Sequence, residues 1–119
     1  MIMIFIINIV TKLFTRKILM YIAMNKFKII NGYEQEFEEV WKTRDTFLDK
    51  VPGFLKFNLI KGKKGDEFTL YASHSLWNSE ISFIEWTNSD SFRKAHKNVG
   101  KNKKLYIGHP EFEGFEIII

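Results

Sequence analysis

The hydrophobic pattern of this chain switches repeatedly between a strand period and a helical period, and the order of the switches restricts the fold. Residues 21–30 alternate between apolar and polar side chains, which is typical of a half-buried strand. Helical stripes of apolar residues and further strand patterns follow, separated by Gly- and Pro-containing turns. The predicted elements are strands at 21–30, 54–61, 67–77 and 111–119 and helices at 33–50, at 80–86 and from Ser89 onward.

The order strand, helix, strand, strand, helix, strand predicts a ferredoxin-like α+β sandwich with an antiparallel sheet. Helices are expected to cover one face of the sheet. The other face is expected to carry apolar side chains such as Leu55, Phe57, Leu59 and Ile118. Because monomers seldom expose large apolar patches, this face predicts a homodimer in which two sheets pack against each other.

The first 20 residues differ from the rest. Residues 1–10 are almost all apolar, and Lys12, Arg16 and Lys17 follow. A bilayer span needs about 20 apolar residues, so no transmembrane span is expected, and the features of a signal peptide are missing. We interpret residues 1–20 as a leader outside the fold, with an amphipathic membrane-surface helix as the alternative. The folded domain is expected at 21–119, in a cytoplasmic protein.

The composition excludes several classes of site. The chain has 119 residues and no cysteine, so disulfides, thiolate catalysis and zinc–thiolate centres are ruled out. The net charge of +4 resides largely in the Lys-rich segment 97–104, which we interpret as a solvated loop. No nucleic-acid partner is expected, because no binding motif accompanies the charge. The 12 Phe and 3 Trp side chains would fill a core or line a flat apolar cavity.

Three large or polar side chains, Trp86, His96 and Asn25, are predicted to point toward one interior. His96 shares an apolar helix face with Phe92 and Ala95, and Asn25 lies on the inward face of the first strand. Burying polar groups costs free energy, so these three side chains suggest the lining of a pocket. Arg44 falls within the apolar stripe of the first helix, and the residues alone leave open whether it reaches to the surface or points at an anion inside the cavity. A structural role for His96 also stays open. His74 and His109 are interpreted as structural or solvent-facing.

Patterns for metal clusters, Ser-His-Asp catalysis and phosphate-binding loops do not occur in the sequence. A neutral imidazole on an apolar face is, however, the usual axial ligand of haem iron.

The segment Phe-x-x-Trp-x-x-Ser-Asp-x-Phe-x-x-Ala-His, residues 83–96, resembles the signature of the IsdG-like haem-degrading monooxygenases. These enzymes belong to the antibiotic biosynthesis monooxygenase superfamily of dimeric α+β barrels. The segments LWNSEISF at 76–83 and VWKTRDTFLDKVPGF at 40–54 are also similar, so that the resemblance covers residues 21–119.

The resemblance implies roles for four residues. His96 would be the axial ligand to haem iron, Asn25 would donate its amide toward dioxygen on the opposite side, and Trp86 would press on the porphyrin. Arg44 would lie near the haem. Haem would be both substrate and cofactor, with O2 and an external electron donor, and a separate reductase would supply electrons. Two alternatives stay open: a cofactor-independent quinol monooxygenase using the same residues, and a haem-binding dimeric barrel without catalysis.

Overall fold

The computed structural model describes residues 2–3, 18–97 and 103–119 of the chain. Most of the predicted leader, and residues 98–102 of the Lys-rich segment, therefore lie outside the described residues. The element order confirms the predicted alternation. The strands are β1 (Tyr21–Ile30), β2 (Phe54–Lys64), β3 (Phe68–Trp77) and β4 (Glu111–Glu116), the helices are α1 (Glu34–Thr43), α2 (Glu80–Thr87) and α3 (Asp90–His96), and a 3₁₀ turn covers Lys103–Leu105.

The four strands form one sheet in the order β2-β3-β1-β4, with every neighbouring pair antiparallel. This arrangement confirms the ferredoxin-like α+β fold. β1 is a central strand, and its Asn25 stands opposite Ser73 of β3 and Phe112 of β4. In the part of the chain that the structure describes, no helix is long and apolar enough to cross a membrane.

Two aromatic clusters lie between the sheet and the helices. The α1 cluster consists of Phe27, Ile29, Phe37, Tyr71 and Leu105, and the α2 cluster consists of Tyr21, Ala23, Leu48 and Trp77 with Phe83 and Trp86 packed against it. Burial of each large side chain contributes about 1.5–3 kcal/mol. On β1 the two clusters are separated by Asn25, which follows Ala23 and precedes Phe27 along the covered face.

A bulge in β2 overturns one prediction about the uncovered face. The register shifts between Phe54, which pairs with Trp77, and Lys56, which pairs with Leu76. This shift reverses the alternation that follows, so Phe57 stacks on Trp41 of α1 and Leu59 packs against the α1 cluster. The prediction that Phe57 and Leu59 lie on the face away from the helices was therefore wrong.

The first helix ends earlier than its apolar stripe suggests. α1 stops at Thr43, and Arg44 is already extended with ψ of 132°. The side chain of Asp45 accepts a hydrogen bond from the backbone N–H of Phe47 at 2.8 Å, and Phe47 has a positive φ of 55°. A local side-chain bond of this kind competes with helix formation. The prediction of a helix over 33–50 was wrong beyond Thr43.

Two further boundaries differ from expectation. β2 continues past the predicted end at residue 61 to Lys64, and β3 begins at Phe68, so the hairpin turn lies at 65–67 rather than at 62–66. The described lysines of the Lys-rich segment, Lys97, Lys103 and Lys104, are exposed, whereas Leu105, directly after it, is fully buried in the α1 cluster and Tyr106 bridges to Ile29.

Two glutamate carboxylates of α1 accept hydrogen bonds from side chains of β3. The hydroxyl of Tyr71, which is 1% exposed, donates to Glu38 Oε2 at 2.6 Å. The hydroxyl of buried Thr69 donates to Glu34 Oε1 at 3.0 Å. These bonds fix the position of α1 above the sheet, and thereby the position of its last residues beside the candidate site.

Candidate active site

The junction of α2 and α3 is built by the capping residues expected from the sequence. Ser79 caps α2 by accepting a hydrogen bond from the N–H of Ser82. Ser89 caps α3 by accepting from the N–H of Phe92 at 3.2 Å, and its hydroxyl donates to the carbonyl of Trp86 at 2.6 Å. One serine therefore connects the backbone that carries Trp86 to the helix that carries His96.

His96 lies half-buried in the last turn of α3. Its Nδ1 is 2.8 Å from the carbonyl oxygen of Phe92, and its ring stacks on the Phe92 ring at 3.9 Å between centroids. Because a carbonyl only accepts hydrogen bonds, Nδ1 carries the proton, and Nε2 of the neutral ring keeps its lone pair. Burial lowers the pKa of His96, the bond to Phe92 opposes this effect, and the charge of Arg44 adds to it. The site therefore favours a neutral imidazole with Nε2 able to ligate a metal.

Trp86 connects the α2 cluster to His96. Its ring centroid lies 5.3 Å from that of Trp77, 4.9 Å from that of Phe92 and 6.0 Å from that of His96. Its indole Nε1 is buried and has no hydrogen-bond partner among the described residues. A buried donor without an acceptor costs about 1–3 kcal/mol, so an acceptor atom brought by a ligand would relieve an existing penalty.

Arg44 reaches α3 from the extended residues that follow α1. Its Nη2 donates to the carbonyl of Ala95 at 2.8 Å, and its Cζ lies 4.7 Å from the centroid of the Trp41 ring. Burial lowers the pKa of Arg44, and Tyr106 partly opposes this shift. The guanidinium therefore lies within the site. Arg44 itself follows the end of α1 and is not part of a helical apolar stripe, contrary to the prediction from the sequence.

Asn25 is half-buried on the sheet beneath α2. Its neighbour Phe112 stacks on Phe83 of α2 at 5.6 Å, and Ala23, two residues earlier on the same face, belongs to the cluster against which Trp86 packs. The fold thus brings His96, Trp86 and Arg44 into one contact network and places Asn25 on the sheet between the two clusters.

The remaining histidines lie elsewhere. His74 pairs with Met24 and Asn58 on the opposite face of the sheet. His109 is exposed and follows the 3₁₀ turn. Neither histidine shares the network around His96.

Sequence reasoning missed two polar neighbours of the site. Ser73 stands directly opposite Asn25, and the alternation of β3 could have placed Ser73 on the covered face, although it does not report the register. Tyr106 is half-buried, with a pKa raised by burial and partly lowered by the charge of Arg44. No sequence signal marked Tyr106, because it follows a run of lysines.

Two concave pockets lie away from His96 and Asn25. One, of about 310 Å³, lies beside Trp86 between α2 and residues 47–52, and the other, of about 380 Å³, lies on the uncovered face near Lys28 and His109. Within 2–3, 18–97 and 103–119, no group of three or more His, Asp or Glu side chains could hold a free metal ion. A single imidazole nitrogen can ligate a metal ion whose other coordination positions are already filled by a non-protein group.

Comparison with known proteins yields one matching family model, described as antibiotic biosynthesis monooxygenase, over residues 20–98. A staphylobilin-producing haem oxygenase of Staphylococcus epidermidis is 29% identical over 84 residues, which cover 71% of this chain and 80% of that protein. Among solved structures, the haem degrader MhuD of Mycobacterium tuberculosis, with two haems bound in its active site, is 26% identical at a TM-score of 0.66, covering 83% of this chain and 96% of MhuD. SnoaB of Streptomyces nogalater, a cofactor-independent oxygenase, shares the fold at 20% identity and a TM-score of 0.61, covering 84% of this chain and 94% of SnoaB.

Proposed function

Because this chain belongs to the antibiotic biosynthesis monooxygenase family, we propose that it binds haem as its substrate and opens the porphyrin ring oxidatively. Two similar proteins, the staphylobilin-producing haem oxygenase and the haem degrader MhuD, support this substrate. The observation that carries the proposal is the neutral His96 imidazole, whose Nδ1 is held by the Phe92 carbonyl so that Nε2 is left to ligate iron.

The residues around His96 fit a porphyrin. Trp86 and Phe92 present aromatic surface beside the imidazole, and a flat apolar macrocycle gains free energy by packing against such surface. The Nε1 of Trp86, which has no partner in the part of the chain that the structure describes, adds a donor to the same region. In the proposed complex, His96 would hold the iron, Trp86 would pack on the macrocycle and Arg44 would border it.

Asn25 is proposed to act from the sheet. Its side-chain amide would donate a hydrogen bond to dioxygen that reacts with the bound haem. Bound haem supplies the iron for the oxygen chemistry, with electrons from an external donor and a separate reductase, and ring opening releases the iron. The protein residues bind the substrate, fix its orientation and shield it from water.

The uncovered face of the sheet supports the proposed homodimer. Ile60 and Phe115 on this face are 41% and 46% exposed. In the register, Ile22 pairs with Phe115 on one side and with Leu76 on the other, and Ile60 pairs with Ala72. A second copy that packs sheet to sheet would remove this apolar surface from water. Sedimentation equilibrium would measure the dimer. The cytoplasmic location stays a prediction.

The experiment for the function is incubation of purified protein with haem, ascorbate and air. We expect the Soret band to decay and a tetrapyrrole product to appear by mass spectrometry, with catalase present to exclude free peroxide. Asn25→Ala should slow the decay while haem still binds. A stable Soret band in the wild type, under conditions in which haem is bound, would leave the non-catalytic haem-binding barrel as the function.

The alternative enzyme is a cofactor-independent quinol monooxygenase. The neutral His96 could accept a phenolic proton, and the fold is shared with the cofactor-independent oxygenase SnoaB. Oxygen uptake with a hydroquinone in a haem-free, metal-free preparation would favour this alternative over haem degradation.

A further inference from the structure

Arg44 joins the end of α1 to the end of α3. Its Nη2 donates to the carbonyl of Ala95, the residue directly before His96, at 2.8 Å. The Cζ atom of the guanidinium lies over the Trp41 ring, 4.7 Å from its centroid, and Trp41 is the third residue from the end of α1. The same side chain therefore contacts α3 by a hydrogen bond and α1 by a cation–π contact.

The helix that carries His96 is short enough to depend on such a contact. α3 contains seven residues, whereas isolated helices shorter than about 12–15 residues are marginal in water. The last four carbonyls of any helix lack an amide partner within the helix, and Ala95 supplies one of them. A cation near this end also interacts favourably with the helix dipole. Ser89 caps the start of α3, and Arg44 performs the equivalent function at its end.

The guanidinium is also specific in its geometry. A planar group can donate in its plane while it stacks on a ring, which a lysine ammonium cannot do. Trp41 itself stacks on Phe57 and packs against the α1 cluster, so the position of Arg44 is tied to the core. Displacement of Arg44 would therefore release α3 on the side that faces α1.

We propose that Arg44 is a positioning residue that caps α3 and thereby fixes the direction in which His96 presents Nε2. The proposal rests on the proposed function, because the direction of Nε2 matters only if that atom holds haem iron. It differs from the role expected from the sequence, in which Arg44 lies near the haem, since here it acts through the backbone of α3. An arginine that binds only the macrocycle would leave α3 unchanged in the haem-free protein.

The first experiment needs no haem. Amide hydrogen exchange of the haem-free protein is compared among the wild type, Arg44→Met and Lys42→Met, the last of which removes an exposed cation from the same end of α1. We expect α3 amides to exchange about tenfold or more faster in Arg44→Met, as the loss of a charge-assisted hydrogen bond implies. β1 and β3 should be unaffected, and Lys42→Met should match the wild type. Unchanged α3 exchange in Arg44→Met would overturn the proposal.

The second experiment tests the link to His96. Haem titration of Arg44→Met should give a weaker complex with a Soret spectrum shifted toward that of His96→Ala, and Arg44→Lys, which retains one donor, should be intermediate. Faster α3 exchange together with a wild-type haem spectrum would also overturn the proposal. If Arg44→Met fails to fold, Arg44→Lys carries both experiments, with an expected increase in α3 exchange of at least about threefold.

The two proposals fail in distinguishable ways. If the wild type and His96→Ala bind haem identically, the proposed ligand is wrong, although the exchange experiment still reports whether Arg44 caps α3. If His96→Ala abolishes the wild-type spectrum and Arg44→Met does not alter it, haem binding stands and the positioning function of Arg44 is refuted.

Discussion

Tyr71→Phe tests whether the hydroxyl contact between β3 and α1 holds the helix on the sheet. The Tyr71 hydroxyl donates to Glu38 at 2.6 Å, and the ring is 1% exposed, so the substitution removes a buried donor without opening a cavity. A hydrogen bond to a charged group contributes about 1.5–3 kcal/mol. The Glu38 side chain is 35% exposed and regains water when the bond is lost. We therefore expect a loss of about 1–2 kcal/mol in the free energy of unfolding at neutral pH.

The loss should depend on pH with a defined sign. The hydrogen bond from Tyr71 lowers the pKa of Glu38, and Lys61 contributes to the same shift. A lowered carboxyl pKa stabilises the fold above the unfolded pKa of about 4.3, and this contribution disappears as the pH falls through the folded pKa. Burial raises the pKa of Tyr71, and the hydrogen bond and charge of Glu38 raise it further. The wild type should therefore lose stability as the pH rises above the unfolded pKa of about 10, whereas Tyr71→Phe has no hydroxyl to titrate at this position.

Urea unfolding followed by tryptophan fluorescence measures both effects. Tyr33→Phe is the matched control, because it removes a hydroxyl beside the same α1 cluster without touching the contact to Glu38. We expect this control to change stability by less than about 0.5 kcal/mol. If Tyr71→Phe lowers the free energy of unfolding at neutral pH by less than about 0.5 kcal/mol, the reasoning is refuted. It is also refuted if the loss at about pH 3.5 equals the loss at neutral pH.

Two other substitutions test particular contacts. Leu105→Ala should lower the free energy of unfolding by about 2–5 kcal/mol, because Leu105 is fully buried in the α1 cluster; a loss below about 1 kcal/mol in urea unfolding would contradict this position. Gly53→Ala should destabilise the protein by about 1–3 kcal/mol, because Gly53 has a φ of 84° and a Cβ would overlap Ser82 of α2; a Tm equal to that of the wild type would show that α2 is not packed against this turn.

The fold was predictable where local patterns and tertiary packing agree. The alternation of β1 identified its bounds, and Ser89 identified the start of α3. Both signals are local: alternation reports a half-buried strand, and a serine hydroxyl satisfies free amides at a helix start. The same local signals placed Asn25 on the covered face and His96 on a packed face.

Other features depend on contacts that the pattern does not encode. The bulge after Phe54 moved Phe57 and Leu59 to the covered face, and only the pairing with β3 reveals it. The end of α1 at Thr43 depends on the Asp45 side chain and on the bond from Arg44 to α3, 51 residues away along the chain. Isolated apolar residues within charged segments carry no periodicity, so Leu105 could not be recognised as core.

Haem titration of the wild type and His96→Ala tests the central claim most directly, namely that Nε2 of His96 holds the iron. His74→Ala and His109→Ala are the matched controls, because these histidines lie outside the network around Trp86. We expect His96→Ala to lose the Soret spectrum of a histidine-ligated haem and at least about tenfold in affinity, while both controls match the wild type. An unchanged spectrum and affinity in His96→Ala would contradict the account.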